Sequence, residues 1–130
     1  MHPLRQAVEN AALETVPALL AENVTFVSPV VFAPYTGRGI VTAILRGAYA
    51  VFDDFRYVNE ISDANGRYHA LLFEARVGDR EIHGCDFVRH NEQGLIDEFT
   101  VMVRPLSAAK ALARAMEAKF PSIEREAGVV

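Results

Sequence analysis

Cysteine occurs once, at Cys85, so the chain can form no internal disulfide, and a reducing cytoplasm is the simplest home for it. Cys85 lies inside a strand-like run, where a buried, inert thiol is the expected state. No apolar run approaches the roughly 20 residues of a membrane span, and the opening MHPLRQAVEN lacks the apolar stretch of a secretory signal. Lysine and arginine number 13 against 17 aspartates and glutamates, and they form no cluster. Phosphate recognition needs concentrated positive charge, so neither nucleic acid nor a membrane surface is an expected partner. The glycines of GRG at 37–39 do not make a phosphate loop. No pair of His, Asp or Glu has metal-ligand spacing along the chain, so neither a metal nor another cofactor is expected.

What is present is enough apolar material for one core. At 130 residues and 51% hydrophobic, the chain suits a single domain rather than a disordered segment. Leu4, Val8, Val16, Leu19 and Leu20 share a helical face over residues 3–21. Pro17 cannot sit in the middle of a helix, which predicts a break near Ala11–Glu14 and a second short helix from about Thr15. Val24–Ser28 reads as a strand. Residues 40–52 form a helix with Ile40, Val41, Ile44, Leu45, Ala48 and Phe52 as its apolar stripe. Phe55–Ser62 is a further strand. YHALLFEARV and REIHGCDFVRH, separated by Gly78-Asp79, form the clearest hairpin in the chain. NEQG turns the chain into LIDEFTVMVR, which Pro105 stops. Leu106, Ala109, Leu112, Ala113 and Met116 make residues 106–119 an amphipathic helix. Pro121 ends it, and residues 121–130 are expected to be a loosely ordered tail beyond one domain of residues 1–120. This order predicts an α+β fold, with helices packed on one face of a curved antiparallel sheet. Such a sheet closes into a cone whose open end is a pocket.

Element order, together with LLAENVTFVSP, PYTGRG and DFVRHNEQGLIDEFTV, resembles the nuclear transport factor 2-like superfamily, and its SnoaL-like branch in particular, over about residues 4 to 105. The resemblance implies a cystatin-like cone fold. It leaves the chemistry open, because the superfamily hosts isomerases, cyclases, hydrolases and non-catalytic modules. Ketosteroid isomerases of this fold place a general base, an aspartate before a proline, in the loop after the first strand. That position is Ser28, and a serine hydroxyl cannot abstract a carbon-bound proton unaided. Their oxyanion-hole tyrosine falls on Leu4, whereas their oxyanion-hole aspartic acid matches Asp86. The water-holding residues of limonene-type epoxide hydrolases fall on Phe26, Ser28 and Val101. SnoaL-like polyketide cyclases use a carboxylate as acid and base in an apolar cavity, and Asp86 alone can serve there.

Strand alternation assigns the faces. Ile82, Gly84, Asp86, Val88 and His90 share one face, and His83, Cys85, Phe87 and Arg89 the other. The resemblance puts Asp86 on the cavity side, with Leu71, Phe73, Ala75 and Val77 beside it, and with Phe99, Val101 and Val103. Gly84 leaves space next to it. The expected pocket is lined by Phe26, Ser28, Phe32, Tyr35, Leu45, Tyr49, Leu71, Phe73, Val88, Phe99 and Val101. In such surroundings desolvation raises a carboxyl pKa, so Asp86 is the candidate acid, base or hydrogen-bond donor. Its alternative role is to pair with a buried hydroxyl or arginine and simply satisfy the interior. Tyr35 and Tyr49 either offer phenols to a ligand or are boundary residues with wet hydroxyls. His90 is expected at the rim and His69 exposed. His83 reaches the pocket only if a bulge at Gly84 reverses the faces. Arg38 and Arg104 read as surface residues. Leu72, Cys85, Phe87 and Met102, mixed with Glu74, Arg76 and Arg89, give the other sheet face apolar content that calls for a partner, and relatives commonly form dimers through it. The expected function is binding of a small apolar carbonyl-bearing molecule that is steroid-, terpenoid- or polyketide-like, with isomerase or cyclase chemistry. The competing reading is a non-catalytic binding or dimerisation module.

Overall fold

Pro3 occupies the first helical position, where its missing N–H costs nothing, and His2 caps it, Nδ1 accepting from the Leu4 N–H at 3.0 Å. In the computed structural model, which describes residues 1–128, this helix (α1) spans Pro3–Glu9. The break near residue 11 is present, but the second helix is a 3-10 helix over Leu13–Leu19 with Pro17 inside it. A short 3-10 piece with i→i+3 bonds tolerates that proline better than a continuous α-helix would.

The chain then enters β1 (Leu20–Val27), four residues earlier than the apolar pattern implies. A two-residue β2 (Tyr35–Thr36) follows the loop, and Gly37, at φ 118°, caps α2 (Arg38–Val51). Strands β3 (Asp53–Ser62), β4 (Tyr68–Val77), β5 (Arg80–His90) and β6 (Ile96–Arg104) complete a six-stranded sheet of order β2-β1-β6-β5-β4-β3. The β4–β5 hairpin has the boundaries read from sequence, in unbroken register from Tyr68↔Arg89 to Val77↔Arg80. The sheet is mixed rather than wholly antiparallel, because β1 runs parallel to β6. Parallel pairing needs a long connection between the strands, and here most of the chain separates the two.

The last helix, α3 (Leu106–Glu126), runs through Pro121 instead of ending before it. The helix forgoes one backbone bond there, but Ile123 is fully buried in the main apolar cluster. Gly47 of α2 makes this possible: a Cβ at that position would stand 2.6 Å from Ile123 Cδ1. Residues 121–126 are therefore helical and not a loose tail, and Val129 and Val130, its expected end, lie outside the described residues.

The helices cover one face of the sheet. Leu4 of α1, Leu20 and Val24 of β1, Val41 and Ile44 of α2, and Leu71, Val88 and Phe99 of the sheet form one buried apolar cluster. No helix among the described residues is long and apolar enough to cross a membrane.

Candidate functional site

Alternation along β5 holds: Ile82, Asp86 and Val88 are buried, while Phe87 between them is 43% exposed. The ladder is continuous through Gly84, so no bulge reverses the faces. Asp86 therefore points inward, opposite Leu71 on β4 and Val101 on β6, and is only 4% exposed.

It does so at an apolar cavity of about 440 Å³. Of the residues expected to line it, Phe26, Ser28, Tyr35, Leu45, Tyr49, Phe73 and Val101 do, together with Asp86. Leu71, Val88 and Phe99 do not reach its surface; they are packed into the buried cluster instead. Phe32 is fully exposed. The loop before it approaches the cavity through Pro29, Val30 and Val31. A whole wall was invisible to strand alternation: α3 contributes Leu112, Ala113, Met116, Glu117 and Phe120, and the α2–β3 corner contributes Phe52 and Phe55. The space left by Gly84 is not open. The Phe73 ring fills it, and an added Cβ would overlap that ring and lie 2.9 Å from the Met102 carbonyl oxygen.

Asp86 has a partner that sequence reasoning missed. The Tyr57 hydroxyl donates to Asp86 Oδ2 at 2.7 Å, and the Tyr49 hydroxyl lies 2.9 Å from the Tyr57 hydroxyl. Tyr57 is buried on β3, paired with Phe73. The register of β3 against β4 shifts on both sides of it, and these irregularities hid its face from an alternation argument. Its two-residue spacing from Phe55 was the available signal. Burial pushes the Asp86 carboxyl up to about 7, and the bond from Tyr57 opposes that rise. Burial also raises both tyrosines, followed by the nearby Asp86 carboxyl, so each stays a neutral phenol. Near neutrality the carboxyl is thus poised between its two forms. Tyr57 holds one oxygen, and among the described residues no side chain bonds the other. A poised carboxyl with one oxygen uncommitted at an apolar cavity can donate a proton, accept one, or hydrogen-bond a ligand carbonyl.

Ser28 is committed to the loop. Its Oγ accepts from the Val30 and Val31 N–H groups at 3.1 and 3.2 Å. The Cys85 thiol is half-buried and pushed up to about 11, chiefly by burial and then by the Asp86 carboxyl, so it is a poor nucleophile. Arg38 donates to the Leu20 carbonyl. His83 lies on the outer face, between Glu74 and Arg104. His90 does not approach Asp86. It meets His2 and His69 at another point on the same sheet, and neither its company nor the half-burial of His69 followed from spacing along the chain. Burial, then the neighbouring His69 and His90, push His2 down to about 4.

The pattern of a SnoaL-like domain matches residues 4–99. The chain belongs to the SnoaL-like family. Its likeness to solved structures extends over nearly the whole chain. A steroid delta-isomerase from Pseudomonas aeruginosa is 38% identical with a TM-score of 0.87, over 92% of this chain and 87% of that one. A conserved bacterial protein with a cystatin-like fold from Silicibacter pomeroyi is 36% identical with a TM-score of 0.88, over 96% and 90%. At 18% identity, a protein of unknown function with a cystatin-like fold from Xanthomonas campestris shares the fold alone, with a TM-score of 0.65 over 83% and 90%. Comparison with curated proteins returned no match. The resemblance to the nuclear transport factor 2-like superfamily and its SnoaL-like branch, and the α+β cystatin-like fold it implied, are borne out.

Proposed function

We propose that this SnoaL-like protein binds a small apolar carbonyl-bearing molecule in the cavity and acts on it by acid/base chemistry of the isomerase or cyclase type, with Asp86 as the acting group. The observation that carries this reading is the placement of Asp86: one oxygen held by Tyr57, the other uncommitted, in an apolar cavity large enough for a multi-ring ligand. In its protonated form Asp86 donates to the ligand carbonyl and stabilises negative charge that develops there. In its ionised form, which the Tyr57 hydroxyl stabilises with Tyr49 bonded behind it, Asp86 accepts a proton from the ligand. No cofactor enters this chemistry. The name of the Pseudomonas relative supports a steroid-like ligand, and the apolar walls suit terpenoid- or polyketide-like molecules equally.

One observation favours a non-catalytic binding module instead. Ser28 stands where ketosteroid isomerases carry their base, and its hydroxyl is spent on the loop backbone. The cavity's other carboxyl, Glu117, lies exposed on α3. We further propose that the protein is a cytoplasmic homodimer joined through the outer sheet face, where Phe87 and Met102 are 43% and 61% exposed.

A thermal-shift screen of wild type and Asp86→Asn against steroids, polyketide-like aromatics, terpenoids and fatty acids tests the reading. A ligand at one hundred times its Kd stabilises by about 2.7 kcal/mol. A shift in wild type that the variant loses, followed by turnover in wild type alone, supports acid/base chemistry. A shift retained within a few fold by the variant favours the binding module. No shift with any compound contradicts both.

A further inference from the structure

Three of the chain's four histidines meet at one point although they are far apart in sequence. His2 caps α1, His69 is the second residue of β4, and His90 ends β5. One ring nitrogen of each lies within 4.8 Å of the other two, and the ring centroids are 4.7 to 5.0 Å apart. We propose that this cluster binds one late first-row divalent cation, zinc foremost, at a site separate from the Asp86 cavity.

Nitrogens about 2.05 Å from a tetrahedral zinc stand roughly 3.4 Å apart. The cluster brackets that value: His2 Nε2 and His90 Nε2 are 2.8 Å apart, and no pair exceeds 4.8 Å.

The hydrogen-bond partners fix where the lone pairs point. A carbonyl only accepts, so His90 Nδ1 carries its hydrogen toward the Gly94 oxygen at 2.8 Å and leaves Nε2 bare toward the cluster. By the same logic His69 Nε2 donates to the Gly66 oxygen, and its Nδ1 lone pair accepts from the Ser62 hydroxyl at 2.6 Å, a bond that opens when Nδ1 ligates. A backbone carbonyl holding the far nitrogen of a ligating histidine is the usual outer-shell arrangement at metal sites. His2 must adjust further. It accepts from the Leu4 N–H at Nδ1, so its hydrogen sits on Nε2, facing His90. To ligate, the ring turns from Leu4 and that hydrogen moves to Nδ1.

The surroundings suit a cation. Glu60 lies beside the cluster, taking the His2 backbone N–H at 3.0 Å through one oxygen and pairing with Arg5 at 3.2 Å through the other. A depression bounded by Met1, Glu60, Ser62 and Gly66 opens onto the three rings, which gives an ion a way in and leaves a fourth position for water. An all-imidazole donor set selects zinc, copper or nickel over magnesium or calcium, which want oxygen ligands.

Tag-free full-length protein titrated with Co(II), then Zn(II), tests the site by the visible absorption of tetrahedral cobalt and by calorimetry. One equivalent of cobalt should bind with tetrahedral bands and be displaced by zinc. His69→Ala and His90→Ala should each weaken binding at least about tenfold, while His83→Ala and Asp86→Asn leave it unchanged. His90→Ala also removes the bond to the Gly94 turn. Where it fails to fold, His69→Gln decides, since it keeps a polar side chain for Ser62 and Gly66. Absence of saturable one-equivalent binding, or equal affinity in folded His69 variants, overturns the proposal.

Discussion

Asp86 and His90 leave the same face of β5 four residues apart, roughly 13 Å at strand rise, and enter opposite environments. Asp86 meets aromatic and aliphatic walls and one phenol, so desolvation governs it and its neutral form is favoured. His90 meets two other imidazoles, backbone carbonyls and a depression open at one side, so lone-pair geometry governs it. Between them Leu4, Leu71 and Val88 belong to the fully buried cluster. A single strand thus presents one group tuned by the absence of polar neighbours and one placed by their abundance. A cone-shaped sheet can carry two independent sites along its covered face.

The sharpest way to break this contrast is to remove the charge that desolvation penalises. The folded pKa of Asp86 lies near 7, above its ordinary 3.8. Stability linked to Asp86 is therefore fully present below about pH 4 and is lost as pH rises toward 7, by about 4 kcal/mol at ~1.4 kcal/mol per pKa unit. The two phenols bonded in line with it, Tyr57 and Tyr49, do not titrate in that window. Denaturant unfolding of wild type and Asp86→Asn across pH 4 to 8 should show wild type losing stability relative to the variant as pH rises, while His2, held down near 4, adds the same opposite slope to both. Parallel curves would mean that Asp86 carries no desolvation penalty.

Gly84→Ala should come next. Its Cβ meets the Phe73 ring and the Met102 carbonyl, and overpacking of this kind costs about 1–3 kcal/mol. The change should disturb ligand binding in the cavity, which Phe73 lines, and spare the histidine cluster. A variant as stable as wild type would show that the ring has room to move.

Tyr57→Phe should cost about 1–2 kcal/mol through the lost bond. It should also raise the Asp86 pKa further, because the Tyr57 bond is what lowers it. A pH profile of stability that shifts to higher pH supports the coupling, and an unmoved profile would leave Tyr57 a mere spectator. The smallest effect is expected at Phe32. It is fully exposed, so Phe32→Ser should change stability by under about 0.5 kcal/mol. A large fall in melting temperature would place its ring against the protein in solution.

Asp86 was legible in the sequence because the SnoaL-like resemblance put it on the cavity side, and an unbroken period of two through Gly84 keeps β5 in the register that this requires, opposite Leu71 on β4 and Val101 on β6. Periodicity failed where the period itself is broken. The shifts flanking Tyr57 on β3 concealed the group that holds Asp86. It failed again at α3, where burial of Ile123 overrides the stop signal of Pro121. Alternation also reports which face a residue occupies but not how deep it lies, so Leu71, Val88 and Phe99 share the cavity's face without reaching it. The histidine cluster was beyond any local pattern. Its members come from positions 2, 69 and 90, and only the tertiary fold brings the cap of α1 against the ends of β4 and β5.

The most direct test is a carbon-13 NMR titration of the Asp86 side-chain carboxyl, assigned by its disappearance in Asp86→Asn and followed with and without a ligand from the screen. A midpoint near 7 that moves when the ligand binds is the expected result. A midpoint near the ordinary 3.8, indifferent to every ligand, would contradict a functional carboxyl in the cavity.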